Sequence, residues 1–219
     1  MKSAVFTTVT FCSAFQVSHY LDVLKALSEN DQCGWRVFYK HGVWSKGQDH
    51  YVPGTQVVLQ EVDEILVIGH FVKKNAAGAG LANACFNYQQ GEKKINLWEY
   101  GTVKSKRMAH DSEGQFTPVN VCQKPIRLLA DIICHFTLPN DAVLDLFSGT
   151  GSTAIACALY NRNCVSVDNN DFQILQQRKR FTEFMEVVEN YHQTDGDGEL
   201  DTRFFRLDTG DASSVKKEF

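Results

Sequence analysis

The chain is poor in the residues that build metal centres and membrane spans. Its seven cysteines form no C-x-x-C pair and its seven histidines are dispersed, so no spacing suggests a structural or catalytic metal. Their odd number, and the placing of several cysteines inside apolar runs, fit a reduced, intracellular protein. No apolar stretch approaches the ~18 residues that a helical membrane span requires. The apolar opening is rich in threonine and lacks an A-x-A cleavage pattern, which reads as a strand and not as an export signal. Proline is scarce: Pro53, Pro118, Pro125 and Pro139 are isolated from one another, and none precedes an aromatic. An excess of positive charge is missing too. A net charge of -4 offers nucleic acid no global attraction, so any DNA-binding face has to be local.

What is present is enough apolar material, 43% of 219 residues, for one sizeable core. The chain reads as a single domain over 1–190, followed by an acidic turn, one strand and a polar tail over 191–219. Strands are indicated near 5–12, 35–40, 65–69, 95–100, 142–147 and 164–167, and helices near 17–28, 153–159 and 174–185. Alternation of the two implies an α/β fold with a doubly wound, mainly parallel sheet.

The most specific segment is Asp145-Leu146-Phe147-Ser148-Gly149-Thr150-Gly151, between an apolar strand that reads as buried and a helix of small residues. Glycines at such a turn let backbone approach a ligand closely, with a helix N-terminus beside it. A second strand ends in Asp168, about 20 residues beyond the first glycine, where a carboxylate accepts hydrogen bonds from both ribose hydroxyls of an adenosine. Gly149 to Ala154 also satisfies the dinucleotide pattern G-x-G-x-x-G/A. Asp145 argues the other way, since a carboxylate at the strand end suits an ammonium and repels a pyrophosphate. Immediately upstream, Lys124-Pro125 opens a helix, proline being favoured at a first helical position.

Together, Lys124-Pro125, Asp145 to Gly151 and Asp168 resemble the DNA amino-methyltransferases acting on adenine N6 or cytosine N4, in the circularly ordered branch where a Lys-Pro helix precedes an Asp-x-Phe-x-Gly-x-Gly loop. The likeness is strong from Gln123 to Asp168 and weaker through Phe11-Cys12-Ser13, Trp44-Ser45-Lys46 and Glu61 to Leu66. It implies a Rossmann-like S-adenosylmethionine-dependent fold, lacking some N-terminal elements, with the cofactor at the strands' carboxyl ends. It further implies a cofactor half over 122–190, with Lys124, Pro125, Asp145, Phe147, Ser148, Gly149, Thr150, Gly151, Asp168 and Asn169 at the pocket and Thr117 near it. The stretch 72–121 occupies the place of a target-recognition insert.

The resemblance makes double-stranded DNA the expected partner. Trp44 is then placed near an extruded base and Lys46 near a phosphate. Lys73, Lys74, Lys93, Lys94, Lys104, Lys106 and Arg107, interleaved with aromatics, form a local basic surface for phosphate contact. The family's Asp/Asn/Ser-Pro-Pro-aromatic motif, which holds the target amine, is absent from this sequence, so no catalytic residue is named. Three readings account for the gap. The favoured one makes this the C-terminal part of a longer methyltransferase. The others are a subunit whose protein partner supplies catalysis, and a catalytically silent homologue. Outside the family, an NAD-dependent oxidoreductase is the remaining alternative.

Overall fold

The computed structural model describes residues 5–47, 63–74, 95–103, 108–110, 113–120 and 122–193. The contacts group the chain into two compact units. The first comprises Met1–Gly101 with Cys134–Thr137, and the second Thr102–Ile133 with Leu138–Phe219. No described helix is long and apolar enough to cross a membrane.

The first unit contains β1 (Val5–Cys12), α1 (Val17–Glu29), β2 (Trp35–Ser45), β3 (Asp63–Lys73) and β4 (Leu97–Glu99). They form a four-stranded sheet in the order β1-β3-β2-β4. β3 runs antiparallel to both β1 and β2, while β4 lies parallel to β2. This corrects the expectation of a mainly parallel sheet, although the α/β class stands. The alternation β1-α1-β2 does mark two strands of the same direction, but β3 lies between them in the opposite sense. Local sequence carries no signal for that insertion. Its central place explains why β3 is apolar without alternation, Leu66 to Val72 being buried throughout. Tyr20, Leu21, Leu24 and Leu27 recur at helical spacing on α1 and pack on Cys12, Val37, Val67 and Phe71 of the sheet.

One polar group sits in this buried strand. His70 is 5% exposed, and its Nδ1 lies 3.0 Å from the Thr7 hydroxyl on β1. Burial lowers its pKa below the ordinary 6.5, because a charged imidazole would lose its hydration. With the folded-state pKa depressed, this stabilisation is fully present above pH 6.5 and is lost as pH falls towards the folded value. An NMR titration of the His70 ring is expected to give a midpoint below 6.5 in the native protein, and an unperturbed midpoint would contradict the assignment.

In the second unit, β5 (Met108–His110) and β6 (Phe116–Pro118) make an antiparallel hairpin that the sequence patterning did not indicate. Strands of three residues are too short to show periodicity. α2 (Ile126–Phe136), whose residues from Cys134 onward group with the first unit, follows directly on Pro125 and buries Ile126, Leu128, Leu129, Ala130, Ile132 and Ile133. β7 (Ala142–Asp145) pairs parallel with β8 (Asn163–Ser166), and α3 (Ser152–Leu159) connects them as a βαβ crossover. α4 (Asp171–Gln193) follows. β7 is less buried than its composition suggests. Val143 and Asp145 are half-buried, whereas Leu144 is 62% exposed.

Candidate functional site

The site lies where β7 gives way to α3. Leu146 to Gly151 leave the strand, and two residues take left-handed backbone, Gly149 at φ 50° and Gly151 at φ 79°. That conformation costs an L side chain energy and costs glycine almost none. The Gly151 carbonyl then accepts from the Ile155 amide at 3.1 Å, starting α3.

Two carboxylates hold the turn from either side. Asp145 Oδ1 accepts from the Phe147 amide at 3.1 Å. Asp168, just beyond β8, accepts from the Gly149 amide at 2.7 Å through Oδ2 and from the Asn170 amide at 3.0 Å through Oδ1. The Ser148 amide donates to the Val167 carbonyl at 3.0 Å, and the Gly151 amide to the Ser148 carbonyl at 2.8 Å. The amides of Phe147, Ser148, Gly149 and Gly151 are thus engaged inside the protein. An anion cradle needs such amides pointed at the ligand, flanked by positive charge. This loop instead offers two acidic side chains, which suits ligand hydroxyls and an ammonium.

Sequence reasoning places Ser148 and Thr150 at the ligand, but the structure turns their side chains inward. Ser148 is 7% and Thr150 3% exposed. The Ser148 hydroxyl donates to Gln177 Oε1 at 2.8 Å, and the Thr150 hydroxyl to Gln123 Oε1 at 3.1 Å. Buried hydroxyls need partners within the protein, so these two anchor the loop from behind. Phe147 is the opposite case, 90% exposed at the loop's crest. Asn169 is exposed beside Asp168, while Asn170 caps α4, its Oδ1 accepting from the Phe172 and Gln173 amides. The capping duty falls to Asn170, as the run of Asn and Asp there allows. Pro125 is buried at the start of α2 and Lys124 is half-buried before it. Thr117 lies opposite Ala109 in the hairpin.

Three supporting residues escaped the sequence reading. Gln123 ties the Lys124-Pro125 segment to the loop through Thr150. Gln177 receives Ser148. Arg180, 3% exposed, donates through Nη1 to the Thr150 carbonyl at 3.3 Å and to the Ser152 hydroxyl at 2.9 Å. A signal was available: Gln173, Gln177 and Arg180 recur at intervals of four and three, a polar stripe on α4.

In the first unit, Trp44, which the sequence places near a base, is 2% exposed and its indole Nε1 donates to the Tyr100 carbonyl at 2.7 Å. A tryptophan at a strand end serves packing equally well, and sequence cannot tell the two apart. Trp44→Phe is expected to cost about 1 kcal/mol in urea unfolding through loss of that hydrogen bond. Lys46 Nζ lies 3.5 Å from Glu64 and 5.2 Å from the centre of the Trp44 ring, which partly neutralises its charge. Lys73 is exposed at the end of β3, and Lys74 Nζ donates to the Asp31 carbonyl at 3.4 Å. Lys93, Lys94, Lys104, Lys106 and Arg107 lie outside the described residues, as does the expected strand near 203–207.

A βαβ crossover with a glycine turn, one carboxylate at the end of β7 and another just beyond β8 defines an α/β fold of the Rossmann-like kind. Comparison with known proteins narrows the class: residues 30–179 match the DNA methylase family of N6 and N4 methyltransferases, and the chain belongs to that family. It is 31% identical over 104 residues to the Type II methyltransferase M.HinfI of Haemophilus influenzae, covering 45% of this chain and 28% of that protein. It is 37% identical over 68 residues to the Type II methyltransferase M2.MboI of Moraxella bovis, covering 31% of this chain and 25% of that protein. These matches span about a quarter of each relative's length. Among solved structures, the complex of M1.HpyAVI with SAM superposes with a TM-score of 0.56 at 25% identity, over 80% of this chain and 74% of that one.

Proposed function

We propose that this chain carries the S-adenosylmethionine-binding part of a DNA methyltransferase acting on an exocyclic amine, adenine N6 or cytosine N4. The observation that carries the reading is the loop between Asp145 and Gly151, where the Phe147, Ser148, Gly149 and Gly151 amides are bonded within the chain while Asp145 and Asp168 flank it. That charge pattern disfavours the pyrophosphate of a nicotinamide dinucleotide and favours an adenosine diol joined to an amino acid. Asp168 retains lone pairs for both ribose hydroxyls beyond its two backbone bonds, since a carboxylate offers about four acceptor sites. Asp145 provides the counter-charge for the ammonium. Gly149 and Gly151 keep the approach open, Phe147 offers an apolar surface at the rim, and Lys124, Pro125 and Asn169 border the pocket. When bound, the cofactor supplies an electrophilic sulfonium methyl group for in-line transfer.

The acceptor of the target amine lies elsewhere. None of the chain's four prolines stands in a Pro-Pro-aromatic sequence. On this reading an upstream segment or a protein partner supplies that function, and this chain alone is a cofactor- and DNA-binding subunit. Duplex DNA is the proposed substrate, with phosphate contacts from Lys46, Lys73 and Lys74 and from Lys93, Lys94, Lys104, Lys106 and Arg107.

The test supplies methyl-labelled S-adenosylmethionine and unmethylated duplex DNA to the chain alone and to the chain extended by its upstream reading frame or joined by its partner. Label is expected as N6-methyladenine or N4-methylcytosine only in the second case. Label at cytosine C5, or transfer to a small molecule in place of DNA, would overturn the proposal.

A further inference from the structure

The glycine loop is gripped from behind by α4, and the grip centres on the peptide that joins Thr150 to Gly151. Gln177 and Arg180 stand three residues apart on one face of that helix. Gln177 accepts from the Ser148 hydroxyl at 2.8 Å, and a Cβ on Gly151 would lie 2.5 Å from its Cγ. Arg180 is 3% exposed. Its Nη1 donates to the Thr150 carbonyl at 3.3 Å, to the Thr150 hydroxyl at 3.4 Å and to the Ser152 hydroxyl at 2.9 Å. One nitrogen thus reaches the residues on both sides of Gly151.

Stability alone does not account for a cation at this place. A helix N-terminus carries partial positive charge and favours acidic groups beside it. α3 has neither an acidic residue in its first turn nor a side-chain N-cap, and a guanidinium lies there instead. Burying that charge costs free energy as well. What the charge gains is control of a backbone group. Gly151 sits at φ 79°, and glycine takes either sign of φ with little cost. The peptide between Thr150 and Gly151 can therefore turn over while the chain on either side stays in place. In the observed orientation the Thr150 carbonyl meets Arg180 and the Gly151 amide donates to the Ser148 carbonyl at 2.8 Å. Turned over, the peptide would give up both bonds. Its oxygen would leave α4 and add an electronegative atom to a loop already flanked by the Asp145 and Asp168 carboxylates.

We propose that Arg180 is a positioning residue, which locks the Thr150–Gly151 peptide in the orientation competent to bind S-adenosylmethionine; the last clause rests on the cofactor reading. Without the guanidinium, the bond from the Gly151 amide is left to oppose the turn-over. The loop then exchanges between two forms, and a ligand that binds one of them loses apparent affinity in proportion to the fraction that is competent.

The parent chain, Arg180→Met and Arg180→Lys are compared by calorimetric titration with S-adenosylmethionine, by urea unfolding without ligand, and by 15N relaxation dispersion at the Gly151 amide. Arg180→Met is expected to bind about tenfold more weakly, with roughly one molecule in ten competent. Its Gly151 amide is expected to show microsecond-to-millisecond exchange that the parent lacks, and the populations from that exchange should account for the affinity lost. Arg180→Lys keeps the charge on a shorter stem, and both its affinity and its exchange are expected to fall between the other two. Should Arg180→Met fail to fold, Arg180→Lys carries the same comparison. A folded variant that binds as the parent does overturns the lock. So does one that loses affinity and urea resistance together with no exchange at Gly151, which is the mark of a merely structural role. Exchange at Gly151 in the variants of a parent that binds no S-adenosylmethionine leaves the lock standing and defeats the cofactor reading instead.

Discussion

Asp168→Ala is expected to weaken S-adenosylmethionine binding by roughly 10- to 100-fold, about 1.4 to 2.7 kcal/mol. Two losses add. The ribose diol loses its charged acceptor, and water entering the vacated space replaces part of that contact. The Gly149 and Asn170 amides lose theirs as well, which loosens the loop. Asp168→Asn separates the effects. It keeps one carbonyl acceptor but sets an amide nitrogen against one of the two backbone donors, so an intermediate affinity is expected. Isothermal titration decides: an alanine variant within twofold of the parent would remove Asp168 from the site.

Gly151→Ala is expected to cost about 2 kcal/mol in urea unfolding and to impair cofactor binding along with it. The left-handed backbone at φ 79° strains any L side chain by about 1 to 2 kcal/mol. A Cβ there would also sit 2.5 Å from Gln177 Cγ, so Gln177 would have to move and carry its bond to Ser148 with it. Gly149→Ala is expected to be milder, about 1 kcal/mol. Its Cβ would meet the Asn120 amide nitrogen at 2.6 Å, the tip of a side chain that can yield by giving up its bond from the Cys122 amide. Equal costs at the two glycines would mean that the loop is not held against α4 in this way.

The cofactor loop was legible because its signals are local. An apolar strand, two glycines, a helix of small residues and an acidic residue at a set distance occupy consecutive positions, and β7, α3 and β8 form where they predict. That Asp145 and Asp168 flank the glycine turn was legible for the same reason. The inward turn of the Ser148 and Thr150 hydroxyls was not legible, because sequence shows that a hydroxyl is at a turn, but not which way it faces. Their partners on α4 lie almost 30 residues away, and Gln123 is as far in the other direction. The sheet of the first unit was legible strand by strand and not in its order. Nothing in residues 63–73 announces that β3 enters between β1 and β2. Trp44 shows a third limit, since an aromatic at a strand end has the same sequence signature whether it packs a core or meets a base.

The central claim is that the turn between β7 and α3 binds S-adenosylmethionine, and calorimetric titration of the reduced chain tests it most directly. Saturable one-site binding of both S-adenosylmethionine and S-adenosylhomocysteine, lost or greatly weakened in Asp168→Ala, is the predicted result. No binding of either, or binding of NADH in their place, would contradict it.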